Sequence, residues 1–444
     1  MKSAAIEIIR TLRQHRHQAY LVGGCVRDIL LGREPVDFDI ATDAAPDDVM
    51  QIFPDTYAVG AQFGVVLVPV KQGETQDTIE VATFRNDGVY SDGRHPDQVS
   101  FSKLPEEDVK RRDFTINGLL LDPLDHDKVL DYVGGQAYLK AGIIRSIGEP
   151  LLRFGEDKLR MLRAVRFAAR FGYEIEAGTF CAIRGRAGDI NQVSLERVRD
   201  EIVKMLTEGK ARRAFELLDE AGLLRHILPE IAAMKGVDQP PEYHPEGDVW
   251  THTLILLEGL EPSCSPTLAL GALLHDVGKP PTFRRAPDRI RFDGHADIGS
   301  KMAEAICRRL RFPNADIDRV SAIVANHMKF PELPKMREST WKRFLRQPYF
   351  EEHLEMHRLD CRASHGDLSL YNLAKERLQS TPAEQIHPQP LLTGHDLIAA
   401  GYSSGPGFKE MLAEAENAQL DGSISAKEEA LALIAQRFGR PATK

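Results

Sequence analysis

Apolar residues recur at every second position in short runs between residue 19 and about 140, and at every third or fourth position almost everywhere after that. The first period is that of half-buried strands, the second that of amphipathic helices. Strands are expected at 19–22, 37–41, 65–70 and 79–84, with helices at 25–31 and 46–52. Ile6, Ile9 and Leu12 give the opening segment helical spacing as well. A mixed α/β head before a helical body makes this an α+β chain. Two polar, proline-containing stretches interrupt the helical part: 236–247 (GVDQPPEYHPEG), read as a linker or an ordered loop, and 380–390. The expected segments are therefore 1–140, 141–235, 236–375 and 376–444.

Length agrees, since 444 residues at roughly 150 per domain give about three folded units. A hydrophobic fraction of 42% with 28% charged residues is ordinary globular composition and excludes wholesale disorder. The apolar runs at 65–70 and 268–274 fall far short of the roughly 20 residues that span a bilayer, so no membrane partner is expected. Five scattered cysteines without a Cys-x-x-Cys pair, and no secretory leader, suit a reduced, cytoplasmic setting. The net charge of -9 argues against a whole-surface nucleic-acid binder but leaves room for a local basic cleft.

Chemistry enters at AYLVGGCVRDILLG, where an apolar strand turns through Gly23-Gly24 into a helix that Gly32 can end. Glycines let an anion approach the main chain, and Arg27 adds charge one turn in. Such a turn also occurs for purely structural reasons. Asp37-Phe38-Asp39 follows, and residues two apart on a strand share a face. Two adjacent carboxylates repel unless a cation lies between them, and Mg²⁺ takes carboxylate oxygens beside substrate phosphates. Two-metal phosphoryl transfer is the reading that gives the pair a purpose; a solvated acidic turn is the alternative.

LVGGCVRDILLG with DFDIAT resembles the signature of the class II tRNA nucleotidyltransferases and bacterial poly(A) polymerases. The similarity runs from about residue 18 to 230 through IEVATFRNDGVYSDGRHP, VKRRDFTING, DYVGG and GEDKLRMLRAVRFAARFGYEIE. It implies a polymerase-beta-like nucleotidyltransferase head, then an all-helical neck, HD domain and tail. It further implies Asp37 and Asp39 as Mg²⁺ ligands, and Gly23, Gly24, Arg27, Asp28 and Asn117 at the nucleotide. In Lys110-Arg111-Arg112-Asp113 it assigns the arginines and Asp113 to ribose and phosphate, without separating Arg111 from Arg112. Glu80, facing away from Ile79 and Val81, is either a third carboxylate or a solvent-facing side chain. The sequence departs from the family pattern at Lys158, where proline is frequent, and at His95, where a second arginine is common after Arg94.

Glu156-Asp157-Lys158-Leu159-Arg160 matches the family's EDxxR motif, which places Asp157 and Arg160 three apart on an expected helical face. A carboxylate only accepts and a guanidinium only donates, so the pair suits the exocyclic amine and a ring nitrogen of cytosine or adenine. Uracil and guanine would leave buried polar groups opposed. A helix ion pair is the plainer reading of the same spacing. Across 153–170, six basic side chains stand against two acidic ones, and Arg160, Arg163 and Arg166 recur at steps of three. They are expected either as a basic wall for triphosphate or an RNA end, or as snorkelling surface arginines.

In the third region His252, the doublet His275-Asp276, His295, His327 and Asp360 are separated by helical segments. LALGALL before the doublet and Val277-Gly278-Lys279 after it resemble the HD phosphohydrolase superfamily. That resemblance makes His252, His275, Asp276 and Asp360 metal ligands, with His295 and His327 at further histidine positions. Imidazoles with carboxylates suit Ni²⁺, Mn²⁺, Fe or Zn²⁺ without choosing among them. The tail (LLTGHDLIAAGYSSGPGFKEMLAEAENAQLDGSIS) resembles bacterial members' C-terminal segments, which implies contact with tRNA.

The resemblance implies an enzyme that builds or repairs the 3′-terminal CCA of tRNA from CTP and ATP without a nucleic-acid template. The SDGRHP segment tilts the choice toward full CCA addition. A poly(A) polymerase or a CC-only or A-only enzyme is the neighbouring alternative, and a non-catalytic RNA-binding regulator the remote one. Monomer and homodimer are not distinguished.

Overall fold

The computed structural model describes residues 1–58, 63–72, 75–88 and 99–440. The chain divides into two compact units, Met1–Ala232 and Ala233–Lys444.

In the first unit, α1 (Lys2–Gln14) buries Ala5, Ile8, Ile9 and Leu12, the face its spacing requires. β1 (Ala19–Val22) turns at Gly23, whose φ of 77° disfavours any other residue, into α2 (Gly24–Leu30). β2 (Asp39–Thr42), α3 (Pro46–Ile52), β3 (Val65–Gln72) and β4 (Thr75–Thr83) follow. A short pair, β5 (Arg85–Asp87) with β6 (Val99–Phe101), precedes α4 (Pro105–Lys110). The hairpin β7 (Leu119–Asp122) and β8 (Lys128–Asp131) and then α5 (Gly135–Ala141) complete the α/β part. The six-stranded sheet has the order β3-β4-β2-β1-β7-β8, with β2 parallel to β4 and the other pairings antiparallel. β2 starts two residues later than its alternation predicts, because Val36 and Asp37 form a bend before it. The rest of this unit is α6 (Pro150–Glu156), α7 (Arg160–Phe171), α8 (Ala177–Arg186), α9 (Leu195–Thr207), α10 (Ala211–Glu220), α11 (Leu224–Ile227) and α12 (Pro229–Ala232). A two-residue parallel bridge joins β9 (Ile143–Ile144) to β10 (Glu174–Ile175).

The second unit is helical apart from the hairpin β11 (Arg284–Arg285) and β12 (Ile290–Arg291). α13 (Val249–Glu258), α14 (Pro266–Leu274), α15 (Lys279–Thr282), α16 (His295–Arg309), α17 (Asn314–Asn326), α18 (Glu338–Leu345), α19 (Phe350–Ala363) and α20 (Ser369–Ser380) form its body. α14 is buried along its length, as the nearly continuous apolar run LALGALL demands. Residues 236–247 are an ordered loop whose base is closed by the Gly236 amide donating to Asp248 Oδ2 at 2.6 Å. The tail helices α21 (Ala383–Ile386), α22 (Gly394–Ala399), α23 (Gly407–Leu420) and α24 (Lys427–Phe438) end the chain, the last three around Leu397, Ala415, Ala430 and Ile434. All five cysteines are free thiols; burial pushes Cys25 up to about 11 and Cys307 and Cys361 up to about 12. No described helix is long and apolar enough to cross a membrane.

Candidate functional site

The first site forms at one end of the sheet. Val22, the last residue of β1, lies opposite Asp39, and Asp39 lies opposite Glu80 of β4. The Gly23–Gly24 turn therefore leaves the sheet beside the carboxylates. Phe38 is buried between an exposed Asp37 and a partly exposed Asp39, so the alternation survives although Asp37 precedes the strand. Burial, then Glu80 and Asp37, push Asp39 up to about 6 against the opposing pull of Arg112. A carboxylate raised by neighbouring carboxylates is a donor set that a divalent cation would relieve, so Asp37, Asp39 and Glu80 fit Mg²⁺.

Arg111 and Arg112 both grip the buried Asp108, through Arg111 Nη2 at 2.7 Å and Arg112 Nη2 at 3.0 Å. They differ in what else they face. Arg112 Nη1 lies 3.2 Å from where a Cβ on Gly23 would stand, so a side chain there would crowd the guanidinium. Arg112 is thus the arginine at the glycine turn. From α2, the buried Arg27 donates to Asp28 Oδ1 at 2.9 Å and to Asn117 Oδ1 at 2.6 Å. Asn117 donates on to Asp113 Oδ1 at 3.0 Å, and Asp113 Oδ2 accepts from Arg163 Nε at 2.9 Å. Against desolvation, Arg163 and these hydrogen bonds hold Asp113 down at about 2. Phe167 lies under this network, with the Arg27, Arg163 and Arg166 guanidiniums 4.3–5.5 Å from its ring centre.

Two expectations for the neck need correction. Asp157 and Arg160 do not share a helical face, because the helix breaks between α6 and α7. Asp157 is extended, at φ −136° and ψ 104°, and its Oδ1 accepts the Leu159 amide at 3.1 Å, a local bond that competes with helix continuation. Nor do the two pair with each other. Arg197 of α9 donates to both Asp157 oxygens, at 3.1 and 2.9 Å, while Arg160 donates to Glu156 Oε2 at 3.1 Å and to the Arg153 and Arg111 carbonyls at 3.2 and 3.0 Å. Secondly, the arginine series is neither an open wall nor a snorkelling surface. Arg160 and Arg166 are buried, and Arg166 is bound to Glu201 at 2.6 Å and Glu208 at 3.3 Å. The compensating acids lie some forty residues away, where a local charge count does not reach. Arg197, Asp108 and Glu201 carried no local motif that could have singled them out. Arg94, His95 and the rest of the SDGRHP segment lie outside the described residues.

The second site assembles all six separated residues of the third region. α13 supplies His252, the end of α14 supplies His275 and Asp276, the start of α16 His295, the end of α17 His327, and α19 Asp360. Gly278 permits the crossing: a Cβ there would meet the His295 carbonyl oxygen at 2.1 Å and the Gly299 amide at 2.7 Å. Two triads result, His252–His275–Asp360 and Asp276–His295–His327, each with ligand atoms within 4.8 Å of one another. His252 Nε2 is 3.2 Å from His275 Nε2 and 3.1 Å from Asp360 Oδ1. His295 Nε2 is 3.2 Å from His327 Nε2. Asp276 turns Oδ2 to His275 at 3.2 Å and Oδ1 to His295 and His327 at 3.6 and 3.7 Å, and Lys279 Nζ is 2.7 Å from Oδ2.

The outer ring nitrogens are all engaged. His275, His295 and His327 direct Nδ1 at the carbonyls of Ala272, Phe292 and Val324, at 2.8, 3.0 and 2.7 Å. His252 directs Nδ1 at Glu246 Oε1, at 2.6 Å. With Nδ1 engaged outward, each ring turns Nε2 inward, the nitrogen through which such imidazoles bind a metal. Burial lowers His327 to about 4. For His252, desolvation is outweighed by Asp360 and Glu246, which raise it to about 9. The six residues fit a transition metal on this chemistry. A cavity of about 770 Å³ opens on the cluster, with Lys279, Arg289, Arg291, Phe292, Tyr243 and His244 in its lining. Glu246 and His244 were not singled out from the sequence, since their loop has no periodicity to place them.

These features define a nucleotidyltransferase-type head joined to a helical body with an HD cluster. The poly(A) polymerase head-domain model matches residues 19–145, the probable RNA- and SrmB-binding region of polymerase A 172–235, and the HD domain 248–363. A CCA-adding enzyme of Geobacillus thermodenitrificans is 46% identical over 228 residues, which are 51% of this chain and 55% of that protein. One of Bacillus pumilus is 38% identical over 274 residues, or 62% and 63% of the two chains. The chain thus spans little more than half the length of the curated relatives it matches. The crystal structure of the Bacillus stearothermophilus CCA-adding enzyme in complex with CTP has a TM-score of 0.73 and 30% identity, covering 98% of this chain and 96% of that one. The Thermotoga maritima CCA-adding enzyme complexed with tRNA shares the fold at a TM-score of 0.60 and 21% identity. The chain belongs to the family of the CCA-adding enzymes, the class II tRNA nucleotidyltransferases.

Proposed function

We propose that the protein transfers CMP and AMP from CTP and ATP to the 3′ end of tRNA, building or repairing the CCA terminus in the cytoplasm. The observation that carries this is the register of Val22, Asp39 and Glu80, which puts a glycine turn, Arg112 and paired carboxylates at one end of the sheet. In the reaction the terminal ribose hydroxyl forms a bond to the α-phosphorus and pyrophosphate leaves. Mg²⁺ held by Asp37, Asp39 and Glu80 would activate that hydroxyl and neutralise the triphosphate. Gly23, Gly24 and Arg112 receive the phosphates, the Arg27–Asn117–Asp113–Arg163 network fixes the ribose side, and Asp157 with Arg160 reads the base edge. The boundaries 1–140, 141–235, 236–375 and 376–444 are our division into head, neck, HD domain and tRNA-contacting tail. A tRNA transcript lacking CCA, incubated with each nucleotide alone and in combination, should gain C, C and A in order. A run of A would instead favour the poly(A) alternative.

The histidine cluster favours a second activity, metal-dependent hydrolysis of phosphate esters or 2′,3′-cyclic phosphates at RNA ends. A bound transition metal would supply a nucleophile near neutral pH and polarise a phosphate oxygen. His252, His275, Asp276 and Asp360 would hold the metal, with His295 and His327 at the further positions, while Lys279, Arg289 and Arg291 offer charge to the phosphate. Replacing His275 and Asp276 by alanine should abolish hydrolysis of a 2′,3′-cyclic phosphate and the metal content, and leave nucleotide addition in place. Hydrolysis surviving in that variant would remove the assignment.

A further inference from the structure

The loop 236–247 is tied to the histidine cluster at two points. Gln239, itself buried, accepts from Lys279 Nζ at 2.6 Å, and Lys279 in turn reaches Asp276. Seven residues on, Glu246 Oε1 accepts from His252 Nδ1 at 2.6 Å and from His244 Nδ1 at 2.9 Å. The Glu246 side chain is only 7% exposed, and its Oε2 is buried with no hydrogen-bond partner among the described residues. Enclosing a carboxylate while leaving one oxygen unpaired costs free energy, because the desolvation of that oxygen is not offset by a hydrogen bond. Helix packing gives no reason to bear that cost, because Glu246 lies on a loop. His252 differs from the other three cluster histidines in the same respect: their Nδ1 atoms face backbone carbonyls, whereas only His252 is held by a carboxylate.

We infer that Glu246 is the positioning residue of the metal centre. Its single engaged oxygen fixes the Nδ1–H tautomer of His252, so that the Nε2 lone pair points at the ions, and holds the His244 ring at the cavity wall. The inference rests on reading the cluster as a metal site. A neutral imidazole has one lone pair, and with Nδ1–H donated to Glu246 that pair is on Nε2, among His275 and Asp360. His244, Glu246 and His252 also have ligand atoms within 4.8 Å of one another, but there both Nδ1 atoms are taken by Glu246 Oε1, so on this inference the group orients the two rings instead of holding an ion. A carboxylate behind a ligand imidazole makes the ring more basic and prevents its rotation, and losing such a partner typically costs 10–100-fold in metal affinity.

The test is a titration of Co²⁺ into the full-length, chelator-stripped protein, read by the visible absorption of the bound ion. Glu246→Ala should weaken binding about 10–100-fold. Glu246→Gln should fall between that variant and the parent, since its amide oxygen still accepts from His252 while the charge is gone. Their metal-free thermal midpoints should stay near that of the parent, which separates positioning from folding, and Glu246→Gln covers the case in which the alanine variant does not fold. His244→Ala should bind Co²⁺ as the parent does. Parent-like titration of both Glu246 variants would overturn the inference, as would an equal loss in His244→Ala, which would make His244 a ligand. A parent protein that binds no Co²⁺ would instead refute the metal reading of the cluster and the inference with it.

Discussion

Asp39 and Glu80 stand in register on adjacent parallel strands, and the proximity helps raise Asp39 well above the ordinary carboxylate range. A carboxylate takes a divalent ion only when ionised. With Asp39 at about 6, nucleotide addition at limiting Mg²⁺ should rise with pH between about 5 and 7. Glu80→Gln removes a like charge and should move that rise to lower pH, though not to an ordinary carboxylate value, because burial, the larger cause, remains. A pH–rate profile of single-nucleotide addition measures this; an unmoved profile would separate Glu80 from Asp39. Asp39→Ala should lose addition by several orders of magnitude with an unchanged circular dichroism spectrum.

Base choice should depend on Asp157, which is anchored by Arg197 rather than by its own helix. Asp157→Ala is expected to raise UTP and GTP incorporation relative to CTP and ATP, by roughly tenfold or more for a lost buried hydrogen bond. Arg160→Ala should weaken use of CTP and ATP alike, and should also destabilise the fold by about 1–3 kcal/mol, since it removes the charge-assisted hydrogen bonds to Glu156 and to the Arg153 and Arg111 carbonyls. Product-end sequencing with competing nucleotides decides the first point and chemical denaturation the second.

Acid stability should report on Asp113. Its folded value of about 2 lies below the unfolded one near 3.8, so the group contributes stability above pH 4 that is lost as pH falls toward 2. The size is on the order of 2 kcal/mol. Asp113→Asn should therefore lower the denaturation midpoint at pH 7 far more than at pH 2.5. Equal losses at both would mean that hydrogen bonding, not charge, sets its contribution.

Gly278→Ala should be severe for a change of one methyl group. The new Cβ would lie 2.1 Å from the His295 carbonyl oxygen, which is backbone and cannot swing aside. A loss of about 3 kcal/mol or more is expected, together with weaker metal retention as α16 moves His295 from Asp276. Wild-type stability and metal content would show that the helices slide freely at this crossing.

Period and turn chemistry alone placed β1, α3 and the Gly23 turn, and Asp39 on its strand, because these depend on neighbours within a few residues. The residue types of the histidine cluster were legible through resemblance to the HD superfamily rather than through period: the apolar α14 sets off His275-Asp276, whereas His295 and Asp360 lie on polar helices. Partnership was not legible. Asp157 and Arg160 suggested a pair by spacing, yet Arg197 and Glu156 took them, because a side chain that caps Leu159 broke the helix on which the spacing relied. Arg166 looked open by local charge and is closed by Glu201, which lies on another helix. Glu246 lies in a stretch with no period at all, and only the folding of 236–247 against α13 gives it a histidine to hold. Local sequence fixes backbone geometry through short-range sterics and hydrogen bonds, whereas a buried charge is satisfied by whatever opposite group the packing of distant helices brings within 3 Å, and that is decided by tertiary structure.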